Sequence, residues 1–344
     1  MKLNKRFKLI ITALLLAVLL LITTSCGLFN DYPDYYEIFG TVFTVTSDGG
    51  KAIEKEVADL LSGKESLLST QISSSDIFKI NAAPAGTAVK VDALTFSLLE
   101  LSAELYASSE GAFNPAVYPL VRLWRFSPDT FTAVSQNYVL PSDGEIQSLL
   151  EICDYNDVVL DRDALTVTKL KEGMMLDLGG MAKGYAVRYA ADYYAERNLD
   201  ALVNLGGNLC ATGSRTYTIG ITHPDAASGY PYFAKISLKN ACVSTSGKYQ
   251  RYYTVDGVRY SHILARDGKP SFSDVESCTV ISRNGELGDA LATAAVAAGA
   301  EKGAALIRKY NCSAIFILEN KRYFTVNCDE ISFELTDTEY KLYE

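Results

Sequence analysis

Five residues, Asp289-Ala290-Leu291-Ala292-Thr293, set a carboxylate and a hydroxyl at i and i+4. On a helix both face one side. Their neighbours are small, so a ligand can come close, and hard oxygen donors in that setting suit Mg²⁺. The same pattern also fits an Asp stabilised near a helix start, with a Thr bonded to its own i−4 carbonyl. A second segment, Leu176-Asp177-Leu178-Gly179-Gly180-Met181-Ala182-Lys183-Gly184-Tyr185, delivers Asp177 to a diglycine turn with Lys183 at the start of a helix. Bare glycine backbone and helix N-terminal N–H groups favour an anion. The spacing is neither G-x-G-x-x-G nor G-x-x-x-x-G-K-[ST], which excludes the Rossmann and P-loop readings. Val203-Asn204-Leu205-Gly206-Gly207-Asn208 repeats the strand-to-diglycine pattern, and paired strands would bring both turns to one sheet end. His262, in Tyr260-Ser261-His262-Ile263-Leu264, reads as a strand histidine fit either for proton transfer or for a plain hydrogen bond. Val243-Ser244-Thr245-Ser246-Gly247 is a hydroxyl-rich turn candidate.

Elements that would position these residues follow from periodicity. Phe39 to Thr46 alternates like a strand. Lys51 to Leu68, Leu94 to Tyr106 and Glu145 to Ile152 have helical spacing, and Asp157 to Thr168 reads as two short strands. Met174 to Leu178 is expected as a strand, Lys183 to Arg197 as a helix and Ala201 to Leu205 as a strand, an order resembling a βαβ crossover. Strands then follow over 217–222, 233–238, 241–245, 249–255, 258–264 and 277–282, with Asp256-Gly257 as a hairpin turn. Helices are expected over Leu287 to Ala298 and on to Tyr310. Ala314 to Leu318 and Tyr323 to Val326 are expected to close the chain as strands. The expected fold class is α+β, with mixed β-sheets and packed helices. No solenoid-type repeat is apparent.

The 344 residues are 48% hydrophobic and 21% charged, which excludes a disordered chain, a collagen and a coiled coil. A net charge of −9 argues against nucleic-acid binding through phosphate neutralisation. Lys2, Lys5, Arg6 and Lys8 precede an uncharged Leu-rich run, Leu9 to Ile22, too short for a comfortable transmembrane helix of about 20 residues. Thr23-Thr24-Ser25-Cys26 follows. The pattern predicts a lipoprotein signal peptide over 1–25, lipidation at Cys26, a polar tether over 26–38 and a folded domain over 39–344, tethered outside the cytoplasm by lipid. The other cysteines, Cys153, Cys210, Cys242, Cys278, Cys312 and Cys328, form no C-x-x-C pair. Export permits disulfides, but their apolar neighbours predict small buried hydrophobes.

Taken in order, these blocks resemble the ApbE family of flavin transferases, which move FMN from FAD onto a protein threonine. The matching segments are Phe39-Gly40-Thr41, Ser75-Asp76-Ile77 with Asn81, Gly111 to Pro115 with Trp124, Leu176 to Tyr185, Ala201 to Asn208, Ser244 to Tyr249, Tyr260 to Leu264 and Asp289 to Thr293. The resemblance implies an ApbE-like, T-fold-related architecture. It implies Mg²⁺ held by Asp289, Thr293 and a backbone oxygen of Gly180. It implies FAD, as substrate, held by Phe39, Ala112, Phe113, Asn114, Asp177, Lys183, His262 and Ile263. His262 is the first choice for acid–base work, with Asp289 as the metal-bound alternative. The implied partner is an exported or membrane-bound acceptor with an Asp-x-x-x-Thr-type segment. A pyrophosphatase that splits FAD with water and a non-enzymatic flavin-binding lipoprotein are the competing readings. The chain departs from the family pattern at Gln71, where an aromatic residue is usual, at Phe39 (often Met), at Asn114 (often Asp), and at Leu264-Ala265-Arg266-Asp267-Gly268 in place of Asp-Pro-x-Thr-Gly. These departures leave the metal site intact and bear on the flavin pocket.

Overall fold

The computed structural model describes residues 35–131, 138–225 and 227–343. The chain divides into two units, 1–36 and 37–344, and the second carries the described helices, the sheet core and the cleft. The lipidation cysteine, Cys26, and the signal segment lie outside the described residues.

A nine-stranded sheet runs in the order Tyr36–Ile38, Thr41–Ser47, Ala201–Leu205, Asn208–Thr212, Ala241–Gly247, Val275–Ser282, Ser313–Leu318, Arg322–Val326 and Lys341–Leu342. The pairs from Thr41–Ser47 through Arg322–Val326 are antiparallel, and the last pair is parallel. One core lies between this sheet and the helices, with Leu291, Ala294, Phe316 and Leu178 fully buried. A second core, including Phe233, Ile236 and Ile315, joins it to a three-stranded sheet of Tyr217–Thr222, Tyr232–Leu238 and Phe333–Leu335. The expected α+β class holds.

The helices Ala182–Ala195 and Gly285–Ala298 cross at two glycines. A Cβ on Gly184 would lie 2.1 Å from the Gly285 carbonyl oxygen, and one on Gly285 would lie 2.2 Å from that of Gly184. Only glycine at both positions allows this approach. The small residues Ala290, Ala292 and Ala294, all fully buried, keep the rest of the Gly285–Ala298 helix close to its neighbours.

Several sequence expectations are corrected. Met174 to Leu178 is extended but pairs with no strand. Instead the Asn81 amide grips Leu176 at both backbone groups, donating to its carbonyl (2.8 Å) and accepting from its N–H (2.6 Å). The buried Lys169 ammonium donates to the carbonyls of Asn81 (2.6 Å) and Met174 (2.9 Å). No βαβ crossover therefore forms, because a side chain stands where a partner strand was expected. Asn81 itself ends a helix, Asp76–Ala82, that hydrophobic spacing did not reveal, and Tyr118–Leu123 is a second such helix. Phe39 is not in a strand. With φ of 53° for Phe39 and 64° for Gly40, the pair forms the turn between the first two strands, a left-handed conformation uncommon for a bulky residue. Val243 to Gly247 lies in the strand Ala241–Gly247 and is not a turn. Two short strands, Phe333–Leu335 and Lys341–Leu342, follow those expected to be last. Cys210 and Cys242, opposite one another on adjacent strands, form a disulfide, so these two are not free hydrophobes. Cys153, Cys278 and Cys312 are free and buried as expected, while free Cys328 is only half-buried. Asp256-Gly257 turns the hairpin Tyr252–Val255/Val258–Ser261 as anticipated. No helix among the described residues is long and apolar enough to cross a membrane.

Candidate active site

A cleft of about 1320 Å³ is lined by every residue singled out above for cofactor, metal or catalytic work, from Phe39 to Thr293. Both diglycine turns border it, although only Gly206-Gly207 joins sheet strands. The two turns thus meet in space without sharing a sheet end.

The acidic centre rests on the glycine crossing. Asp289 is 3% exposed. One carboxylate oxygen accepts the Gly184 N–H at 2.9 Å, and the polar Asn208 side chain lies beside the group and favours its charged form. Burial pushes its pKa above the ordinary carboxylate value, against the opposing pull of the Lys183 charge, the Gly184 N–H and Asn208. One turn along, the Thr293 hydroxyl lies 3.0 Å from that of Ser246, so it does not bond its i−4 carbonyl as the structural alternative required. Gly180 borders the same space: a Cβ there would be 3.8 Å from Thr293 Oγ1 and 3.1 Å from the Phe113 ring. Asp289, Thr293 and Gly180 are therefore brought together, and their donor set is all oxygen.

Asp177 sits on the segment held by Asn81. Its backbone N–H donates to the Pro115 carbonyl (2.8 Å), and its carboxylate accepts the Gly179 N–H (2.8 Å). Burial raises its pKa, opposed by that N–H and by Lys183 and Arg251. Lys183 Nζ donates to the Gly179 carbonyl at 3.1 Å, which bends the ammonium back over the diglycine turn. On the facing wall, Phe113 is 4% exposed and its N–H is held by Ser109 (2.9 Å). The Ala112 N–H donates to the Ser109 carbonyl at 3.1 Å. Both ends of the Asn114 amide are engaged, accepting from the Ala116 N–H (2.9 Å) and donating to the Cys153 carbonyl (2.7 Å). Asn114 thus shapes the wall by capping the turn at Pro115, and presents less free hydrogen-bonding capacity than expected.

His262 falls just beyond the strand Val258–Ser261 rather than within it. The Arg251 carbonyl accepts from its backbone N–H (3.0 Å) and lies 3.2 Å from its Nδ1. A carbonyl only accepts, so Nδ1 carries the proton and Nε2 is left with a lone pair. Burial, reinforced by the Arg251 and Lys183 charges, lowers the His262 pKa to about 4. Neighbouring Ile263 is fixed by its carbonyl, which accepts the Ser271 N–H at 2.8 Å. At the departure positions, Gln71 donates to the Tyr118 hydroxyl (2.9 Å), placing a polar group on the rim. Ala265 to Lys269 closes as a tight turn, with Ala265 N–H bonded to the Lys269 carbonyl (2.7 Å) and the Trp124 indole N–H to that of Gly268 (2.8 Å).

Asn208, Ser246 and Arg251 join the site without having been assigned a role from sequence. Asn208 and Ser246 lay inside quoted blocks, but only the folded register brings them to Asp289 and Thr293.

The antiparallel-rich α+β core around this cleft is shared with solved ApbE structures. The ApbE family matches over residues 39–316, and the chain belongs to it. It is 32% identical over 295 residues to the FAD:protein FMN transferase of Klebsiella pneumoniae (strain 342), covering 85% of this chain and 90% of that protein. It is 33% identical over 288 residues to the enzyme of the same name from Treponema pallidum (strain Nichols), covering 78% and 77%. Among solved structures, the ApbE protein of Thermotoga maritima superposes with a TM-score of 0.73 at 30% identity, over 89% of this chain and 98% of that one. The flavin transferase ApbE from Vibrio cholerae gives 0.75 at 25% identity, over 85% and 96%.

Proposed function

We propose that this chain catalyses Mg²⁺-dependent transfer of FMN from FAD to a threonine hydroxyl of an acceptor protein, with release of AMP. Membership of a family whose relatives carry the name FAD:protein FMN transferase supports flavin transfer. The observation that carries the metal is the convergence of Asp289, Thr293 and Gly180 in a cleft also lined by Asn208, whose buried amide oxygen has no donor among the described residues. That acceptor-rich centre fits a hard divalent cation. Asp289, Thr293 and the Gly180 carbonyl would hold it, and when bound it supplies charge neutralisation at the pyrophosphate.

In this reading the new bond joins the threonine oxygen to the FMN phosphorus, and the P–O bond to AMP breaks. His262 takes the hydroxyl proton at Nε2, since its low pKa keeps it neutral at physiological pH. Lys183 stabilises the negative charge gathering on the departing AMP phosphate. Phe39, Phe113 and Ile263 supply apolar walls for the flavin, while Asp177 and the peptide groups around Ala112 and Asn114 orient it. The acceptor is an exported or membrane-bound protein with an Asp-x-x-x-Thr-type segment. The enzyme itself is tethered outside the cytoplasm through Cys26, behind a signal peptide over 1–25 and a linker over 26–38.

The test is incubation with FAD, Mg²⁺ and a peptide containing such a segment, read by intact mass and AMP release. A peptide heavier by one FMN, with matching AMP and neither after EDTA, is expected. Asp289→Ala is expected to lower the rate by about 10²–10³-fold, the scale of losing one electrostatic stabiliser. AMP and free FMN over an unmodified peptide would instead indicate hydrolysis, and intact FAD a binding protein.

A further inference from the structure

Asn208 opens its strand directly after Gly206-Gly207, yet that turn does not need it. The Gly207 N–H is already bonded to Asn204 Oδ1 at 3.1 Å. Asn208 is 2% exposed and borders the cleft, with its side chain beside the Asp289 carboxylate, whose charged form it favours. A carboxylate only accepts, so the amide end facing it is the NH₂. This fixes the amide orientation and turns Oδ1 away from Asp289. No described residue donates to that oxygen. A buried amide oxygen left without a partner costs about 1–3 kcal/mol, and natural chains seldom retain one without use. The Gly184 N–H is already engaged by Asp289, and one of the Thr293 and Ser246 hydroxyls donates to the other.

We infer that Asn208 is a positioning residue of the divalent-cation centre: its NH₂ fixes the Asp289 carboxylate, and its open Oδ1 adds a neutral oxygen toward the cation, directly or through one water. The inference rests on the metal reading proposed above. It extends the centre across the cleft, from the Gly285–Ala298 helix to the glycine hairpin, so cation loading also secures the Gly206-Gly207 wall. A neutral amide serves both contacts where an aspartate would repel Asp289.

The probe is Mn²⁺ alone, titrated into the full chain and followed by the EPR signal of the free ion, alongside melting curves with and without Mn²⁺. Asn208→Ala is expected to weaken Mn²⁺ binding by about 10–100-fold, the usual effect of losing an outer partner of a ligand, and to shrink the Mn²⁺-induced rise in Tm. Asn208→Asp keeps an oxygen but sets two carboxylates together. It is expected to melt lower without metal and to gain a larger Mn²⁺-induced rise than the parent. Wild-type Mn²⁺ affinity in Asn208→Ala, with binding lost in Asp289→Ala, would overturn the role of Asn208 and leave the metal centre standing. Unchanged binding in Asp289→Ala would overturn the centre itself. If Asn208→Ala does not fold, Asn208→Asp decides: a Tm rise equal to that of the parent refutes the inference.

Discussion

Gly184→Ala tests the close helix crossing on which Asp289 depends. The added Cβ would fall 2.1 Å from the Gly285 carbonyl oxygen, 2.6 Å from its carbon and 2.7 Å from Asp289 Cβ, where ordinary contact begins near 3.4 Å. Two of the three obstacles are backbone atoms that cannot rotate away, so the helices must part by roughly 1 Å. Overpacking of this kind costs up to about 3 kcal/mol. Alanine recovers about 1 kcal/mol of helix propensity over glycine, leaving a net loss of about 2 kcal/mol. For a domain of this size that lowers Tm by about 3 °C. The control is Gly63→Ala in the exposed part of the helix Gly50–Leu68, where an added Cβ meets nothing within 4 Å. There the propensity term acts alone, and a gain of about 0.5–1 kcal/mol is expected. Calorimetry of the two variants reads opposite signs for one chemical change. A Gly184→Ala protein melting at or above wild type, as Gly63→Ala should, would refute the crossing and the support it lends Asp289.

Two further outcomes arise from the hydrogen-bonding of the site. Asn81→Ala strips Leu176 of both backbone partners and is expected to destabilise by about 2–3 kcal/mol in urea unfolding; because Asp177 is the next residue, FAD affinity measured by flavin fluorescence is expected to fall as well. His262 titrates near 6.5 when unfolded and about 4 when folded, so the unfolded chain binds a proton that the native one refuses; its contribution to stability is present above pH 6.5 and is lost as pH falls toward 4. His262→Gln removes that slope, which denaturant melts at pH 7 and pH 5 compare; an identical slope in both proteins would show that His262 is not held neutral.

Local signals carried the parts of the site that local geometry makes. Asp289 and Thr293 share a helix face because i and i+4 always do, and Asp256-Gly257 turns a hairpin because both residues accept positive φ (48° and 80°). What was hidden depends on partners distant in sequence. Met174 to Leu178 alternates like a strand, with Met174, Leu176 and Leu178 fully buried, but its partners are isolated groups, chief among them an amide 95 residues earlier. Alternation reports burial on one side, not the identity of the neighbour. The Cys210–Cys242 bond needed the register of Asn208–Thr212 against Ala241–Gly247, which no spacing between the two cysteines discloses. Phe39 looked like the first residue of a strand because its bulk and neighbours fit one. Its left-handed φ comes from the tight turn that offers its ring to the cleft.

The grip of Asn81 on Leu176 has a consequence for how the cleft can vary. A strand bound by a ladder is fixed at every second residue, and inserting one residue reverses all its faces. Here separate contacts pin Met174, Leu176 and Asp177 through Lys169, Asn81 and the Pro115 carbonyl, with no ladder. Chain added between Leu178 and the helix Ala182–Ala195 would leave those pins unchanged. The Gly179-Gly180 turn can therefore be lengthened to admit a differently shaped ligand without reworking the segment that precedes it.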